Sequence, residues 1–242
     1  MTSVSIIIPM RNEAGNVAPL VTGIAAACVG LDSYEIIIVD DGSTDATVAN
    51  ARTLVDTHPT LRVLRHNCSG GQSAAVHSGV IAAMGAVICT LDGDGQNPPS
   101  ELPKLYGPLL GNKDGTLGLV AGQRVARRDT WSKRAASRFA NGLRAWLLND
   151  GTRDTGCGLK GFRREAFLAL PYFDHMHRYL PALFKRDGWQ VELVDVAHSE
   201  RLSGRSNYNN LQRGLVGIYD LIGVAWLIRR RKKAHPIKDE LQ

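Results

Sequence analysis

The chain has 242 residues, of which 44% are hydrophobic and 21% are charged. These fractions are ordinary for a folded domain, and the length is sufficient to bury one sizeable core. The net charge of +6 favours anionic partners such as acidic lipid headgroups, phosphorylated substrates or nucleic acid. Much of the excess is concentrated in residues 229–233, so we expect no nucleic-acid partner.

The four cysteines, Cys28, Cys68, Cys89 and Cys157, form no CxxC pair and have no histidine at zinc-ligand spacing. Their small or apolar neighbours favour reduced, packed thiols of a cytosolic protein. The first residues have no basic region and too short an apolar run for a signal peptide. Because no segment reaches about 18–20 apolar residues, we also expect no membrane span.

The first half of the chain alternates short aliphatic runs with helical segments. Strands are predicted at residues 4–8, 34–39, 61–64 and 87–91, and helices at residues 16–29, 45–57 and 72–84. The runs mostly lack a period of two, which is typical of strands buried on both faces. This repetition predicts an α/β fold, with a mainly parallel central sheet, right-handed crossovers and helices on both faces.

The regular alternation ends after Asp92. Helices are predicted at residues 100–110, 133–149 and 164–170, a strand at 117–121, a glycine-rich loop at 155–161 and a late, edge strand at 189–197. The helix at 133–149 carries Phe139 and Trp146 as aromatic anchors.

The sharpest chemical signal is an acidic pair, Asp92 and Asp94, with Gln96 beside it. In an extended chain, side chains at i and i+2 point to one side, and ligands of open α/β sheets lie beyond the carboxyl ends of strands. Two carboxylates and an amide oxygen at this position favour Mg²⁺ or Mn²⁺ completed by diphosphate oxygens. The alternative is an ordinary Asp-Gly turn whose carboxylates are solvated.

A second acidic cluster follows the second predicted strand. We assign Asp41 to a nucleobase or ribose and Asp45 to the N-cap of the next helix, although Asp40 or Asp45 as a simple helix cap remains an alternative. Polar groups at the end of the first strand, in residues 9–13, would share this crevice. The loop at residues 65–72 precedes a helix N-terminus that favours anions, but a plain cap explains it as well.

Five segments, in order, resemble the family 2 glycosyltransferases of the GT-A fold, and within them the dolichol-phosphate mannosyltransferase-like, polyprenyl-phosphate branch. Residues 9–13 resemble the first-strand nucleotide motif, 39–43 the base- and ribose-binding turn, and 92–96 the Asp-x-Asp-x-Gln metal motif. Residues 122–124 are similar to a phosphate-contacting segment, and 154–164 to a glycine-rich acceptor loop with two following arginines. The resemblance covers residues 4–208.

Residues 201–207 resemble the Arg-x-x-Gly-x-Ser-Lys element of the family, which is implicated in phosphate binding and closure over the donor. This sequence departs from the pattern because Asn207 replaces the usual lysine, while Arg205 adds a cation. The alternative is a solvated basic loop.

The resemblance implies inverting transfer of a sugar from a GDP- or UDP-sugar to a polyprenyl phosphate in cell-envelope glycan assembly. A phosphate acceptor is already ionised, so the protein must mainly neutralise and align two phosphorylated reactants. The residues expected to act in catalysis are Asp92, Asp94 and Arg124. The residues expected to bind donor or phosphate are Pro9, Arg11, Glu13, Asp41, Asp92, Arg124, Arg201, Arg205 and Ser206. The expected metal ligands are Asp92, Asp94 and Gln96.

The apolar segment at residues 215–228 carries one charge, Asp220, and precedes the basic run. It predicts a helix lying in the interface of an anionic membrane, with Trp226 at headgroup level. A helix docked on the core or in an oligomer contact is the alternative. We therefore divide the chain into a GT-A domain at residues 1–210, a membrane-associating helix at 211–233 and a flexible tail at 234–242. The expected location is the inner face of the cytoplasmic membrane, with a membrane-protein partner or a homo-oligomer as further options.

Two other functions remain open. A family 2 enzyme acting on a polysaccharide or another hydroxyl acceptor would need a base, for which Asp154 is the obvious candidate. A non-catalytic nucleotide-sugar-binding membrane scaffold is a further alternative, against which the acidic pair argues. His175 and His177 suggest a metal site, but without an evident third ligand we interpret them as loop residues, with Arg178 as the more plausible functional residue.

Overall fold

The structure is a computed structural model that describes residues 2–124, 147–148, 150–199 and 210–232. The strands in these ranges are β1 (Val4–Met10), β2 (Tyr34–Asp40), β3 (Leu61–Arg65), β4 (Val87–Thr90), β5 (Leu117–Arg124), β6 (Lys160–Arg163) and β7 (Gln190–Val196). The helices are α1 (Val17–Ala27), α2 (Thr47–Thr53), α3 (Gly71–Ala82), α4 (Leu102–Gly111), α5 (Arg164–Leu168), α6 (Leu180–Arg186) and α7 (Asn210–Arg230). Short 3₁₀ turns lie at Pro99–Glu101 and Met176–Arg178.

The strands form one seven-stranded sheet in the order β3-β2-β1-β4-β6-β5-β7. Only β6 runs antiparallel, and it lies between β4 and β5. All other pairs are parallel. The predicted α/β fold with a mainly parallel sheet is therefore confirmed, and β7 lies at an edge as predicted.

The sheet buries apolar side chains on both faces. Along β1, Ile6 and Ile8 pack in one core cluster with α1 and α4, whereas Ile7 packs in the other with α3, α5, α6 and α7. Ile36, Ile38 and Ile37 of β2 divide in the same way. A strand covered by helices on both faces needs no polar residues, which is why the sequence shows aliphatic runs without alternation.

The second half departs from the sequence prediction at two elements. Part of the predicted glycine-rich loop is instead the strand β6, and α6 was not predicted at all. A four-residue strand in a glycine-rich segment has no periodic signal, so only its pairing with β4 and β5 defines it.

The start of α2 also differs from the prediction. Its N-cap residue is Ala46, not Asp45. Asp45, the residue before this N-cap, nevertheless accepts a hydrogen bond from the backbone N–H of Thr47 at 2.9 Å. The predicted capping chemistry is therefore present, but it is displaced by one residue.

Helix α7 docks on the core along one face. Leu221, Val224 and Ala225 are buried against the second core cluster. Ile222 and Trp226, on a neighbouring face of the helix, are 63% and 59% exposed. Docking on the core, the alternative to a helix lying in the membrane interface, thus accounts for one face only. Over the ranges that the structure covers, no helix has both the length and the apolarity needed to cross a bilayer.

The cysteines are all unpaired. Cys28, Cys89 and Cys157 are buried as predicted, but Cys68 is exposed in the loop between β3 and α3. The expectation of a packed thiol is wrong at that position.

Candidate active site

The loops after β1 and β2 are joined at the carboxyl edge of the sheet. Asn12, in the left-handed backbone conformation with φ 57°, accepts a hydrogen bond from Thr44 N at 2.8 Å. Its own N–H donates to Ser43 Oγ at 2.9 Å. Beside this junction lies a cavity of about 520 Å³. Its lining residues are Gly42, Ser43, Thr44, Arg65, His66, Asn67 and Cys68.

The carboxylate of Asp41 is held by four hydrogen bonds. Oδ1 accepts from His66 Nδ1 and from Gly70 N, both at 2.8 Å. Oδ2 accepts from Ser69 Oγ at 2.7 Å and from Gly71 N at 2.9 Å. Burial alone would raise the pKa of this carboxyl, but these hydrogen bonds outweigh burial and lower the pKa below its ordinary value. Asp41 is therefore an ionised anchor for the first turn of α3.

The acidic pair lies in a turn just beyond β4. Since the strand ends at Thr90, the extended-chain argument for Asp92 and Asp94 does not describe their backbone. The turn still keeps the two carboxylates close enough to interact electrostatically. Asp94 Oδ1 accepts from Gln96 N at 3.1 Å, and Gln96 O accepts from Ser199 N at 2.9 Å.

Asp92 is fixed by residues from two distant segments. Gln72 Nε2, in the first turn of α3, donates to Asp92 Oδ1 at 2.6 Å. Gly158 lies so close that a Cβ at that position would overlap the carboxylate. Burial, and then the charge of Asp94, raise the pKa of Asp92, and Lys160 is the first of the groups that oppose the shift.

Lys160 is a buried cation that sequence reasoning missed. Its backbone pairs with Thr90 at the end of β4, and its Nζ donates to Cys157 O. Burial lowers its pKa, and the charge of Asp92 acts in the opposite direction. No signal in the sequence places this lysine near Asp92, because the antiparallel pairing of β6 with β4 brings them together.

Arg124 and Asp154 form a largely buried bidentate ion pair. Arg124 donates from Nε to Oδ2 at 2.5 Å and from Nη2 to Oδ1 at 2.9 Å. Gln123 Oε1 accepts from the backbone N–H groups of Arg153 and Asp154, at 2.9 and 3.0 Å. The end of β5 therefore anchors the loop that carries Asp154.

The other predicted site residues have more local contacts. Arg11 is exposed, Pro9 pairs with Val39 within the sheet, and Glu13 accepts from Asn16 Nδ2 at 2.6 Å. Arg201, Arg205 and Ser206 lie outside the described residues. So does most of the predicted helix at 133–149, and all of the tail at 234–242.

The two histidines have protein partners. His175 Nδ1 donates to Asp220 Oδ2 of α7 at 3.0 Å, and His177 Nδ1 lies 2.7 Å from Ser73 Oγ of α3. Burial lowers the pKa of His177 well below its ordinary value. Across the described ranges no group of three or more His, Cys, Asp or Glu side chains is placed to hold a metal ion. The interpretation of these histidines as satisfied loop residues fits these contacts.

The acidic turn fits a divalent cation that takes few protein ligands. Two interacting carboxylates, one of them with a raised pKa, repel each other unless a cation lies between them or beside them. Mg²⁺ is commonly bound by one or two carboxylates completed by water and phosphate oxygens. Asp92, Asp94 and Gln96 are a donor set of this kind.

Comparison with known proteins gives consistent results. The model of the family described as Glycosyl transferase family 2 matches residues 5–170. The dodecaprenyl-phosphate galacturonate synthase of Rhizobium johnstonii is 34% identical over 240 residues, covering 95% of this chain and 68% of that protein. The undecaprenyl-phosphate 4-deoxy-4-formamido-L-arabinose transferase of Sodalis glossinidius is 34% identical over 224 residues, covering 90% and 66%. The chain thus spans about two thirds of the length of these curated relatives.

Solved structures share the fold. Glucosyl-3-phosphoglycerate synthase from Mycobacterium tuberculosis, in complex with Mn²⁺, UDP and glucosyl-3-phosphoglycerate, superposes with a TM-score of 0.70 at 19% identity, covering 96% of this chain and 82% of that chain. A mannosyltransferase from Pyrobaculum calidifontis, in complex with GDP-Man and Mn²⁺, gives a TM-score of 0.66 at 20% identity, covering 96% and 65%. Together with the family match and the sheet topology, these likenesses show that the chain belongs to glycosyl transferase family 2 and adopts the GT-A fold.

Proposed function

We propose that this chain transfers a sugar from a GDP- or UDP-sugar to a polyprenyl phosphate, with inversion at the anomeric carbon, in cell-envelope glycan assembly. Relatives at 31–34% identity are named as dodecaprenyl- and undecaprenyl-phosphate sugar transferases, which supports this acceptor class. The 520 Å³ cavity at the ends of β2 and β3 is of a size that suits the nucleoside of the donor. Pro9, Arg11 and Glu13 lie on or after β1, next to β2 in the sheet, and remain proposed donor contacts.

The ion pair between Arg124 and Asp154 is the observation that carries the choice of acceptor. A hydroxyl acceptor needs a base to remove its proton, whereas a phosphate acceptor is already ionised near neutral pH. Asp154, the candidate base, has both carboxylate oxygens engaged by Arg124. The arrangement favours an acceptor that needs no base, and a guanidinium held in this position can also contact a phosphate oxygen.

In this proposal, Asp92, Asp94 and Gln96 would hold a Mg²⁺ or Mn²⁺ ion. Such an ion, when bound, supplies positive charge to stabilise the departing nucleoside diphosphate. The protein residues hold the reactants in line, and Lys160 and Arg124 place two further cations near Asp92. Arg201, Arg205 and Ser206 remain proposed phosphate contacts on the family resemblance alone.

We further propose that the chain attaches to the inner face of the cytoplasmic membrane through α7, and that residues 1–210, 211–233 and 234–242 are its functional divisions. Ile218, Ile222 and Trp226 follow one another at four-residue spacing and are exposed, so they form an apolar stripe beside the docked face. Arg229, Arg230 and Lys232 are exposed at the end of the same helix. An apolar stripe flanked by cations suits an anionic lipid surface.

The test is transfer by the purified chain from labelled GDP- and UDP-sugars to undecaprenyl phosphate in detergent, with Mg²⁺ or Mn²⁺. We expect a lipid-linked product with the wild type and none with Asp94→Ala. The matched control is Asp32→Ala, an exposed aspartate in the loop before β2, which should leave transfer unchanged. Wild-type activity in Asp94→Ala, or product only on a hydroxyl acceptor, would refute the assignment. Nucleotide-sugar binding without turnover on any acceptor would favour the scaffold alternative.

A further inference from the structure

The first turn of α3 connects the loop after β2 to the acidic turn after β4. On one side, the carboxylate of Asp41 accepts from the N–H groups of Gly70 and Gly71. On the other side, Gln72, the next residue, donates to Asp92 Oδ1 at 2.6 Å. Asp41 and Asp92 follow different strands and are 51 positions apart in the chain. Their connection through three consecutive residues at the start of α3, the N-cap Gly70 included, is a property of the tertiary structure.

The hydrogen bonds of Asp41 leave its carboxylate little capacity for a ligand. An ionised carboxylate offers about four lone-pair sites. Four donors already occupy them, from Gly70 N, Gly71 N, Ser69 Oγ and His66 Nδ1. The side chain is only 7% exposed. A direct bond to a nucleobase or ribose would therefore require the loss of an existing internal bond.

Gln72 is placed differently, because it is exposed and directed at the acidic turn. Its amide donates to one oxygen of Asp92, and Gly158 lies directly against the same carboxylate. The orientation of Asp92 therefore depends on where α3 begins, and Asp41 fixes that beginning.

We infer that Asp41 and Gln72 are positioning residues that act in series: Asp41 fixes the first turn of α3, and Gln72 orients Asp92 for the metal and the donor diphosphate. This inference rests on the proposed function, in which Asp92 is a metal ligand. It assigns Asp41 a role through the backbone instead of the direct nucleotide contact expected from the sequence.

The first experiment measures Mn²⁺ binding by titration in the presence of saturating UDP and, separately, GDP. Gln72→Met removes the donor at similar side-chain volume, and we expect the affinity for Mn²⁺ to fall by about 10-fold or more, as for other partners of metal ligands. The matched control is Gln190→Met, an exposed glutamine at the amino end of β7, on the opposite edge of the sheet, which should bind Mn²⁺ as the wild type does. Unchanged affinity in Gln72→Met overturns the inference.

The second experiment separates positioning by Asp41 from direct contact with the nucleotide. Asp41→Asn cannot accept all four hydrogen bonds, so it should weaken Mn²⁺ binding as Gln72→Met does. The double variant should be no weaker than the weaker single variant, because both substitutions break one chain of contacts. Nucleotide binding in EDTA should stay unchanged in all three. Additive losses would show that the two residues act independently, and weaker nucleotide binding by Asp41→Asn in EDTA would show direct contact. Either result overturns the inference.

These outcomes differ from failure of the proposed function. If the wild type binds no Mn²⁺ with either nucleotide, the metal assignment and the inference both fail. If the wild type binds Mn²⁺ and transfers sugar but Gln72→Met binds as tightly, only the inference fails. Because Gln72 is exposed and bonds outside the core, its substitution should leave the melting temperature within about 1–2 °C of the wild type.

Discussion

Asp92 shows how a motif residue depends on neighbours that the motif does not contain. The sequence places Asp92, Asp94 and Gln96 together after a buried strand. It contains no sign that Gln72 donates to Asp92, that Gly158 lies against the Asp92 carboxylate, or that Lys160 lies near. Those contacts join residues 20 to 68 positions apart.

Gly158→Ala tests the fit around Asp92. The added methyl group would overlap the carboxylate, so Asp92 must turn away. We expect turnover to fall by about 100-fold, as for other small displacements of a catalytic group. Gly107→Ala in α4, where a Cβ meets nothing within 4 Å, is the control and should keep full turnover with equal or higher stability. Wild-type turnover in Gly158→Ala would show that the position of Asp92 is not critical.

At the scale of elements, the side chain of Glu35 in β2 links β1, β3 and the segment after α3 at the amino end of the sheet. It accepts from Ser5 Oγ of β1 and from Met84 N after α3, both at 2.6 Å, and it pairs with Arg62 of β3. Burial alone would raise the pKa of Glu35, but these bonds outweigh it and lower the pKa below its ordinary value. Its contribution to stability is therefore present above an ordinary pKa near 4.5 and is lost as the pH falls through the lower folded value.

Glu35→Gln tests that linkage. We expect the free energy of unfolding at pH 7 to fall by about 1–2 kcal/mol, because ionic hydrogen bonds become neutral ones. The difference in the free energy of unfolding between Glu35→Gln and the wild type should shrink below pH 4.5, where Glu35 of the unfolded wild type becomes protonated. Denaturant titrations at pH 7 and pH 3 give both values. A difference that is equal at the two pH values would contradict the assignment.

Helix α7 has two faces with separate roles, and substitutions on them should have separable effects. Ile222→Ser on the exposed stripe should weaken binding to vesicles of anionic lipid by about 10-fold, because an apolar side chain no longer leaves water. It should leave stability within about 0.5 kcal/mol. Leu221→Ala on the docked face should instead cost about 2 kcal/mol or more of stability.

Val29→Ser provides the matched control for vesicle binding. Val29 is 82% exposed after α1, on the other face of the sheet. Its substitution should not change co-sedimentation with vesicles. If Ile222→Ser and Val29→Ser bind vesicles equally, the stripe on α7 is not the attachment surface.

At the scale of the whole molecule, the carboxyl edge of the sheet gathers the ionic side chains of the site. The loops after β1, β2 and β4, the first turn of α3 and the junction of β5 with β6 all meet there. Open α/β sheets place ligands at this edge because the loops that follow parallel strands converge on it.

Removal of divalent cations tests the site as a unit. EDTA should abolish transfer, and Mn²⁺ or Mg²⁺ in excess should restore it, since the metal neutralises the leaving diphosphate. Transfer to undecaprenyl phosphate from labelled donor measures both states. Full activity in EDTA, after extensive dialysis against the chelator, would contradict a role for the acidic turn in metal binding.

The sequence by itself determined the fold class, the succession of strands and helices along the first half of the chain, and the acidic motif after β4. These features are local: aliphatic runs buried on both faces and carboxylates two positions apart are visible within a few residues. Only the tertiary structure decided that β6 enters between β4 and β5, that Arg124 pairs with Asp154, and that Asp41 bonds to the loop before α3 and to the start of α3. These contacts join segments about 30 or more positions apart, where the pairing of backbone and charged groups depends on the whole sheet and has no local pattern.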